Sequence, residues 1–414
     1  MKVRKEDLQI IREDPIELFY QGIKSSATRD KYTRTLRRTL CDIFEDVLEG
    51  TFENRAAILA KKGKSDPEWL MSMLLSLSKK LKERTNLNPQ SKDYLNPQSF
   101  DNYFKPLKKL LDMNDIPVVW SRIYATYPES SNKNSTRGYT LAEIQKLVSF
   151  ASGPIDKAII LIAASSGIRE GGFNLTWEDV TPVYVIDNKY VFELTETQEN
   201  TVDPICAILK VYKGSNEEYP AFITPEAYRA LMDYRTSWTQ DTRKEPKPDD
   251  PLFKQEGWIV KRLNPEAIKQ RVDQVAKRAG MRIPLAKGKK RHDVPIMNGF
   301  RRFFNKVNKE TLSKDSPLAA LIKKEYMMAH TGLVKLDKNY FQSHLHELIE
   351  EYLNAVPTLT ISDEERVKVE NRKLRKERSE LENKDQRIAQ LESQMDIILH
   401  KLDLVSTTSK SDAD

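Results

Sequence analysis

Residues able to act together on an anion recur in order from residue 169 onward. Arg169 closes the apolar part of AIILIAASSGIREGGFNL, Lys213 stands in AILKVYKGSNEEYPAFI, Asn298 and Arg301 in NGFRRFF, and His330 and Tyr340 in MAHTGLVKLDKNYF. A guanidinium is a fixed, permanently charged fork suited to anionic oxygens. Lysine and histidine exchange protons, and a phenol attacks once its own proton is taken. The run before Arg169 predicts a buried helix that carries a buried guanidinium, which is costly unless an anion meets it. That anion is either a partner within the protein or part of a substrate. Each residue also has a plain structural reading: Arg169 as a helix cap, Lys213 as a turn lysine, Tyr340 as core packing.

What must position these residues is a chain of 414 residues, long enough for two or three domains. It is 39% hydrophobic and 31% charged. No apolar run comes near the roughly 20 residues that cross a bilayer. The start, MKVRKEDLQIIRED, lacks the apolar stretch of a signal peptide, so an intracellular protein is expected. Cys41 and Cys206 stand far apart without a CxxC, which supports neither a disulfide framework nor a zinc site, and the histidines suggest no metal cluster. A net charge of +7 favours polyanionic partners.

Residues 14–130 read as helical. Tyr32, Leu36, Leu40, Ile43, Phe44 and Val47 make one apolar stripe, with Arg29, Lys31, Arg34, Arg37 and Arg38 on the remaining arc and Ser26 or Thr28 as a cap. Two more basic helices follow, LLSLSKKLKER and SFDNYFKPLKKLLDMNDI, the latter marked by Pro97 and Ser99. Such flanks suit a surface lying along phosphates, with Arg29, Lys31, Arg34, Arg37, Lys79, Lys80, Lys105, Lys108 and Lys109 as backbone-contact candidates. A polar linker at 131–138 leads into a capping box of Thr140 and Glu143. Then come the buried helix, a β-rich stretch VYVIDNKYVFELTE, a hairpin turning at Gly214, Ser215 and Asn216, helices over 225–240 and 263–280, and a basic loop at 284–293. From 362 to 405, Val367, Leu374, Leu381, Ile388, Met395 and Leu402 stand at heptad spacing, joined by Leu391, Ile398 and Val405, which predicts a coiled coil; 406–414 should be disordered.

As an ordered set, SSGIREG, VYKGSNEEY, NGFRRFF, AHTG and the segment NYFQSHLHELIEEYLNAVPTLTI make the chain resemble the tyrosine recombinases, or integrases, most closely their archaeal-type branch. The resemblance implies a mainly α fold with a small β-sheet and hairpin in the catalytic domain (α+β). It implies a helical core-binding domain at 14–130, a catalytic domain at 139–358 and the C-terminal coiled coil. It further implies a site-specific recombinase that cleaves and rejoins double-stranded DNA through a 3′-phosphotyrosine on Tyr340, with no metal, organic cofactor or ATP. Beside that match stands the chemistry. Breaking a phosphodiester without metal needs cations at the non-bridging oxygens, for which Arg169 and Arg301 are the candidates. Lys213 is placed to protonate the leaving 5′-oxygen, as the family's lysine does, and His330 to hydrogen-bond the phosphate. Expected partners are DNA and a homo-oligomer, a tetramer on paired sites, with no membrane. The helix at 344–356 is expected to pack on a neighbouring protomer, and the tail to join protomers or to bind an accessory factor. The expected location is the cytoplasm, nucleoid-associated when on DNA.

Two departures qualify the match. Asn298 stands where the family's HxxR box has His or Lys, and an amide cannot exchange a proton at neutral pH, so general-base help at Tyr340 is open; His292 compensates only by folding back. The spacing from His330 to Tyr340 is longer than usual, and Phe341 occupies the site where some relatives have a second tyrosine, leaving Tyr340 as the nucleophile on offer. Tyr326 and Tyr352 read as packing residues, and Glu170 as a group holding backbone or an arginine. The alternatives are a catalytically silent DNA-binding protein on the same fold, motivated by Asn298, and a relaxing topoisomerase of the IB type. A purely structural coiled-coil protein explains only the tail.

Overall fold

The computed structural model describes residues 14–129, 136–195, 198, 202–285, 291–330 and 344–371, and beyond them 374, 375, 378, 381, 382, 384–391 and 395. Two compact units result, one taking Met1–Ser135 with Leu285–Lys290 and the other Thr136–Pro284 and Arg291–Asp414. The molecule is mainly α with one small antiparallel sheet, the α+β class expected. No described helix is long and apolar enough to cross a membrane.

The regular elements described in the first unit are all helices, among them α1 (Pro15–Gln21), α2 (Ser26–Arg37), α3 (Phe52–Ser65), α4 (Pro67–Thr85), α5 (Asp101–Met113) and α6 (Trp120–Tyr124). Proline at the first position suits a helix start because its missing N–H would be unpaired there. Asp14 and Asp66 precede such prolines and accept hydrogen bonds from the N–H groups of Ile16 and Trp69. The core closes around Phe19, Leu36, Leu40, Leu59, Leu74, Phe104 and Leu107. Ser25, not Ser26 or Thr28, is the residue before α2, and its side chain makes no capping bond.

The apolar stripe on α2 holds as far as Phe44 and then slips by one residue: Val47 is 49% exposed while Leu48 is fully buried. The helix closes in a π-helical turn over Arg38–Ile43 and residues 44–48 form bends and turns, so helical spacing no longer decides which side chain is buried there. Carbonyls loosened by that turn are held by Arg55, whose Nη1 donates to Leu40 O (3.0 Å) and Cys41 O (3.2 Å) and whose Nε donates to Gly50 O (2.9 Å).

The second unit begins with α7 (Leu141–Ser149) and α8 (Pro154–Ser166). Both halves of the expected capping box form: Glu143 N–H donates to Thr140 Oγ1 (3.2 Å) and Thr140 N–H to Glu143 Oε2 (2.8 Å). Arg137 grips the same carboxylate at 2.6 and 2.7 Å, and with it pulls Glu143 down to about 2. The apolar run of α8 is buried on every side from Ala158 to Ser166, which is why it lacks a polar face. Asp156 in its first turn accepts from Arg271 Nε (2.7 Å) and Ser152 Oγ (2.9 Å), a compensated charge at the positive end of the helix.

The strands β1 (Val180–Ile186), β2 (Lys189–Val191), β3 (Cys206–Val211) and β4 (Tyr219–Ile223) form a sheet of order β2-β1-β3-β4, antiparallel throughout. Asp187 and Asn188, both at positive φ, make the tight β1–β2 turn, and Gly214 (φ 74°) turns the β3–β4 hairpin. Helices α9 (Pro225–Thr242), α10 (Pro265–Arg278), α11 (Ile296–Glu310), α12 (Pro317–Met327) and α13 (Leu345–Leu359) complete the unit. Leu348, Ile349, Tyr352, Ala355 and Leu359 of α13 are buried in the core of their own unit, and Tyr352 Oη donates to Ser165 O (2.9 Å). In the single chain the apolar face of α13 is thus covered by its own unit. Residues 363–371 are helical. Along the tail Val367, Leu374, Leu381, Ile388, Leu391 and Met395 are all more than half exposed in the single chain; Leu402, Val405, Ile398 and the 406–414 tail lie outside the described residues.

Lys324 on α12 is fully buried, and its Nζ meets no hydrogen-bond acceptor among the described residues; Glu325 Oε1 lies 3.8 Å away. Burial first, then the charge of Lys309, pushes it down to about 8. Between about pH 8 and the ordinary lysine value of 10.5, the unfolded chain carries a proton that the folded one lacks, so stability rises with pH across that window. Below it both states are protonated and the fold bears the cost of a poorly solvated charge. Lys324→Met should therefore stabilise the protein by roughly 1–3 kcal/mol at neutral pH. Thermal unfolding scans from pH 7 to 10.5 should show the gap between variant and wild-type midpoints closing as pH rises, the difference cancelling the other titrating groups that both proteins share; a constant gap would mean Lys324 is solvated.

Candidate active site

Helix α8 ends at Gly167, in the left-handed region at φ 59°, and this places Arg169 past the helix on the surface. The expected buried guanidinium is thus corrected to an exposed one. A left-handed glycine turns the chain out of the core before the arginine is reached. A Cβ on Gly167 would lie 2.6–2.9 Å from side-chain atoms of Phe304 on α11. Gly167→Ala combines backbone strain with overpacking and should cost roughly 2–4 kcal/mol, read as a lowered chemical-denaturation midpoint.

Arg301 projects from α11, half-buried, and its fork is satisfied on two sides. Nη1 donates to Gly167 O (2.7 Å) at the end of α8, and Nη2 donates to Met328 O just past α12. Arg169 reaches the same turn, its Nη2 donating to Ala329 O (3.4 Å). Burial and then the charge of Arg169 push the Arg301 guanidinium down from its ordinary value. Ala329 itself sits at φ 50°, a conformation that glycine prefers, and this bend returns His330 toward its own helix. There His330 Nδ1 contacts Glu325 Oε2 at 2.6 Å, and the His330 N–H donates to Glu325 O (2.9 Å). Burial lowers the imidazole from its ordinary value; Glu325 opposes the shift and Arg301 and Arg169 reinforce it. Three of the expected residues, Arg169, Arg301 and His330, therefore converge on one turn at 328–330.

The others are placed differently. Asn298 is exposed on α11, one turn before Arg301. Lys213 lies in the β3–β4 turn, its Nζ paired with Glu178 Oε1 (2.9 Å) and 3.9 Å from Asp179 Oδ1. Glu178 holds the ammonium above its ordinary value. Tyr340 and Phe341 lie outside the described residues. His292 is half-buried, and Glu170 meets Glu266 and Lys269 of α10, not an arginine. Among the described residues no group of three His, Cys, Asp or Glu is placed to hold a metal.

Sequence reasoning missed three neighbours. Tyr212, at φ 57°, and Tyr219 stand on the hairpin with ring centroids 6.2 Å apart. Burial raises both phenols, Tyr219 to about 12, while Arg169 and Arg301 pull them back. The adjacency of Tyr212 to Lys213 was the available signal. Glu325, five residues before His330, spans one helical turn and was readable only once His330 was known to fold back.

In the first unit, Lys31, Arg34, Lys79 and Lys80 are exposed. Arg29 stacks over Tyr20 (4.1 Å) and Arg37 over Phe52 (4.7 Å), so these cations are braced by aromatic faces. Lys105 pairs with Asp101 (2.8 Å), Lys108 Nζ donates to Tyr124 Oη (3.3 Å), and Lys109 is half-buried.

No family model matches the chain, and no curated protein matches it. Among solved structures it is similar to the crystal structure of XerA recombinase, at 14% identity and a TM-score of 0.33, over 76% of this chain and 98% of that one. It is similar also to XerH site-specific recombinase bound to palindromic difH substrate in a post-cleavage complex, at 13% identity and a TM-score of 0.43, over 81% of this chain and 94% of that one. XerH bound to difH substrate in a pre-cleavage complex matches at 12% identity and a TM-score of 0.42, over 80% and 93%.

Proposed function

We propose that this chain is a site-specific DNA recombinase of the tyrosine type, breaking and rejoining strands through a covalent phosphotyrosine. The observation that carries the reading is the convergence of Arg169, Arg301 and His330 on the 328–330 turn, two permanent cations beside a titratable group. Among the described residues neither guanidinium forms an ion pair, Glu325 being engaged with His330, and a phosphodiester would supply the anion they lack. Arg169 and Arg301 stabilise charge on its non-bridging oxygens as the phosphorus becomes five-coordinate. Tyr340 attacks, the bond from phosphorus to the 5′-oxygen breaks, and Lys213 delivers the proton that this oxygen takes. To do so Lys213 leaves Glu178; both side chains are 43% exposed, so the pair is weak and opens readily. The phosphotyrosine keeps the bond energy, and rejoining needs no ATP. The reading includes double-stranded DNA held by the exposed cations of the first unit, and assembly on paired sites.

The test is a library of nicked duplexes with a randomised core, in which a cleaved end diffuses away and rejoining fails. Covalent adducts are recovered on denaturing gels and the modified peptide is mapped. An adduct on Tyr340 is expected. Duplex binding with no adduct would assign a silent DNA-binding protein, and an adduct on Tyr212 would move the nucleophile to the hairpin. Relaxation of supercoiled plasmid by monomer without a selected site would assign a topoisomerase.

A further inference from the structure

Proton delivery to the leaving 5′-oxygen falls to one lysine, and the fold sets two carboxylates of different character beside it. Val180 of β1 lies opposite Leu209 of β3, so the short 3-10 helix Trp177–Asp179 that precedes β1 comes next to the end of β3 leading into Lys213. Lys213 Nζ is 2.9 Å from Glu178 Oε1 and 3.9 Å from Asp179 Oδ1. Asp179 is tied down: its Oδ2 accepts from Thr176 N–H and from Thr176 Oγ1, both at 2.7 Å. Its Oδ1 is buried and, among the described residues, meets no hydrogen-bond donor. A buried carboxylate oxygen without a donor is costly, and the Lys213 ammonium is the donor nearest to satisfying it. Building on the function proposed above, we infer that Asp179 is the residue positioning Lys213 for proton delivery, and that Glu178 is the partner the lysine keeps before DNA arrives.

The two carboxylates differ in what holds them. Glu178 is a surface side chain whose pair with Lys213 is weak, and a DNA backbone near the hairpin draws the ammonium while repelling that carboxylate. Asp179 stays where Thr176 holds it, so an ammonium that keeps one N–H on Oδ1 has its other two donors free for substrate. The hairpin fixes the lysine backbone meanwhile. Tyr212 at φ 57° and Gly214 at φ 74° shape the turn, Ser215 N–H donates to Tyr212 O (3.0 Å), and Gly214 N–H donates to Glu218 Oε2 (2.6 Å). The charged groups facing Lys213 are therefore Glu178 and Asp179 from the turn before β1 and Glu218 from its own hairpin, the last already engaged with Gly214. In cleavage the bond from phosphorus to the 5′-oxygen breaks, the oxygen leaves with the electron pair and takes a proton from Nζ, and Lys213 is left as the neutral amine. In rejoining the amine takes that proton back. Asp179 gains and loses no proton in either direction.

Single-turnover cleavage of a duplex selected from the nicked library tests this, beside the same duplex carrying a 5′-bridging phosphorothiolate, whose sulfur leaves without a proton. On the natural phosphate Lys213→Ala should lose at least ~100-fold and Asp179→Asn ~10-fold, while Glu178→Gln should gain up to ~3-fold. On the phosphorothiolate both Lys213→Ala and Asp179→Asn should return to within ~3-fold of wild type, because the proton they deliver is no longer needed. A loss in Asp179→Asn that the phosphorothiolate leaves in place would mean that Asp179 only supports the fold. A rescuable loss in Glu178→Gln with none in Asp179→Asn would exchange the two roles. Either result overturns the inference and leaves the recombinase reading intact. Absence of any wild-type adduct would defeat that reading, and the contact is then judged without DNA. Competitive labelling of amines with acetic anhydride across pH follows the Lys213 ionisation in the full chain. Glu178→Gln should lower its midpoint, and adding Asp179→Asn should lower it again, since each acid favours the ammonium. No second shift would show that Asp179 does not hold the lysine, and would overturn the inference by itself.

Discussion

Arg169→Ala should leave the protein as stable as before and, on the proposed recombinase reading, bind duplex within a few-fold yet lower single-turnover cleavage by about 10²–10³. The asymmetry follows from where this guanidinium sits. It is exposed, beyond the end of its helix, and among the described residues its one hydrogen bond is the long one to Ala329 O at 3.4 Å. Removing it leaves no buried group unpaired, so the change in folding free energy should stay within about 0.5 kcal/mol. Binding to duplex sums many backbone contacts and changes little when one is lost. The transition state differs because charge builds on particular oxygens and a donor aimed at them has no substitute. Arg169→Lys should restore only part of the rate, since an ammonium keeps the charge but loses the fork. The measurements are adduct formation on denaturing gels, mobility shift at fixed salt and thermal unfolding. Equal losses in binding and cleavage would show that Arg169 only holds DNA.

Local chemistry made much of the fold legible. The all-apolar run becomes a helix buried on every side, Thr140 and Glu143 make their reciprocal cap, and Gly214 turns the lysine hairpin. Each depends on residues within a few positions of one another. What escaped depends on long-range packing or on backbone geometry that residue types do not announce. After the π-helical turn that follows α2, Leu48 and not Val47 is buried, and nothing in the spacing of the apolar residues signals where helical spacing ends. The left-handed Gly167 takes Arg169 out of the core that the preceding residues enter. In the site, the motifs identify Arg169, Arg301 and His330, but not that all three meet one turn. Tyr212 and Glu325 become visible only when the positive φ angles at 212 and 329 have redirected the chain. The ion pair between Lys213 and Glu178 joins residues on separate elements, and no spacing rule foretells it.

Arg301→Ala should be the more damaging of the two arginine changes, because this side chain has two tasks. Its fork ties the end of α8, through Gly167 O, to the end of α12, through Met328 O. Truncation leaves those carbonyls to find water or go unpaired and empties a half-buried volume beside Tyr219. A loss of roughly 2–4 kcal/mol is expected, with the thermal midpoint lowered by several degrees. On the proposed reading cleavage should fall by about 10³ or more even at temperatures where the variant remains folded, since the turn that carries His330 loses its anchor and the phosphate would lose its second cation. Arg301→Lys separates the tasks: one ammonium cannot bridge both carbonyls and also face a phosphate, so stability should partly return while cleavage stays low. The double variant with Arg169→Ala should then cleave little worse than Arg301→Ala alone, because a phosphate no longer held by the first guanidinium gains little from the second. Fully multiplicative losses in that double variant would instead mean that the two arginines act on separate steps and do not share one phosphate.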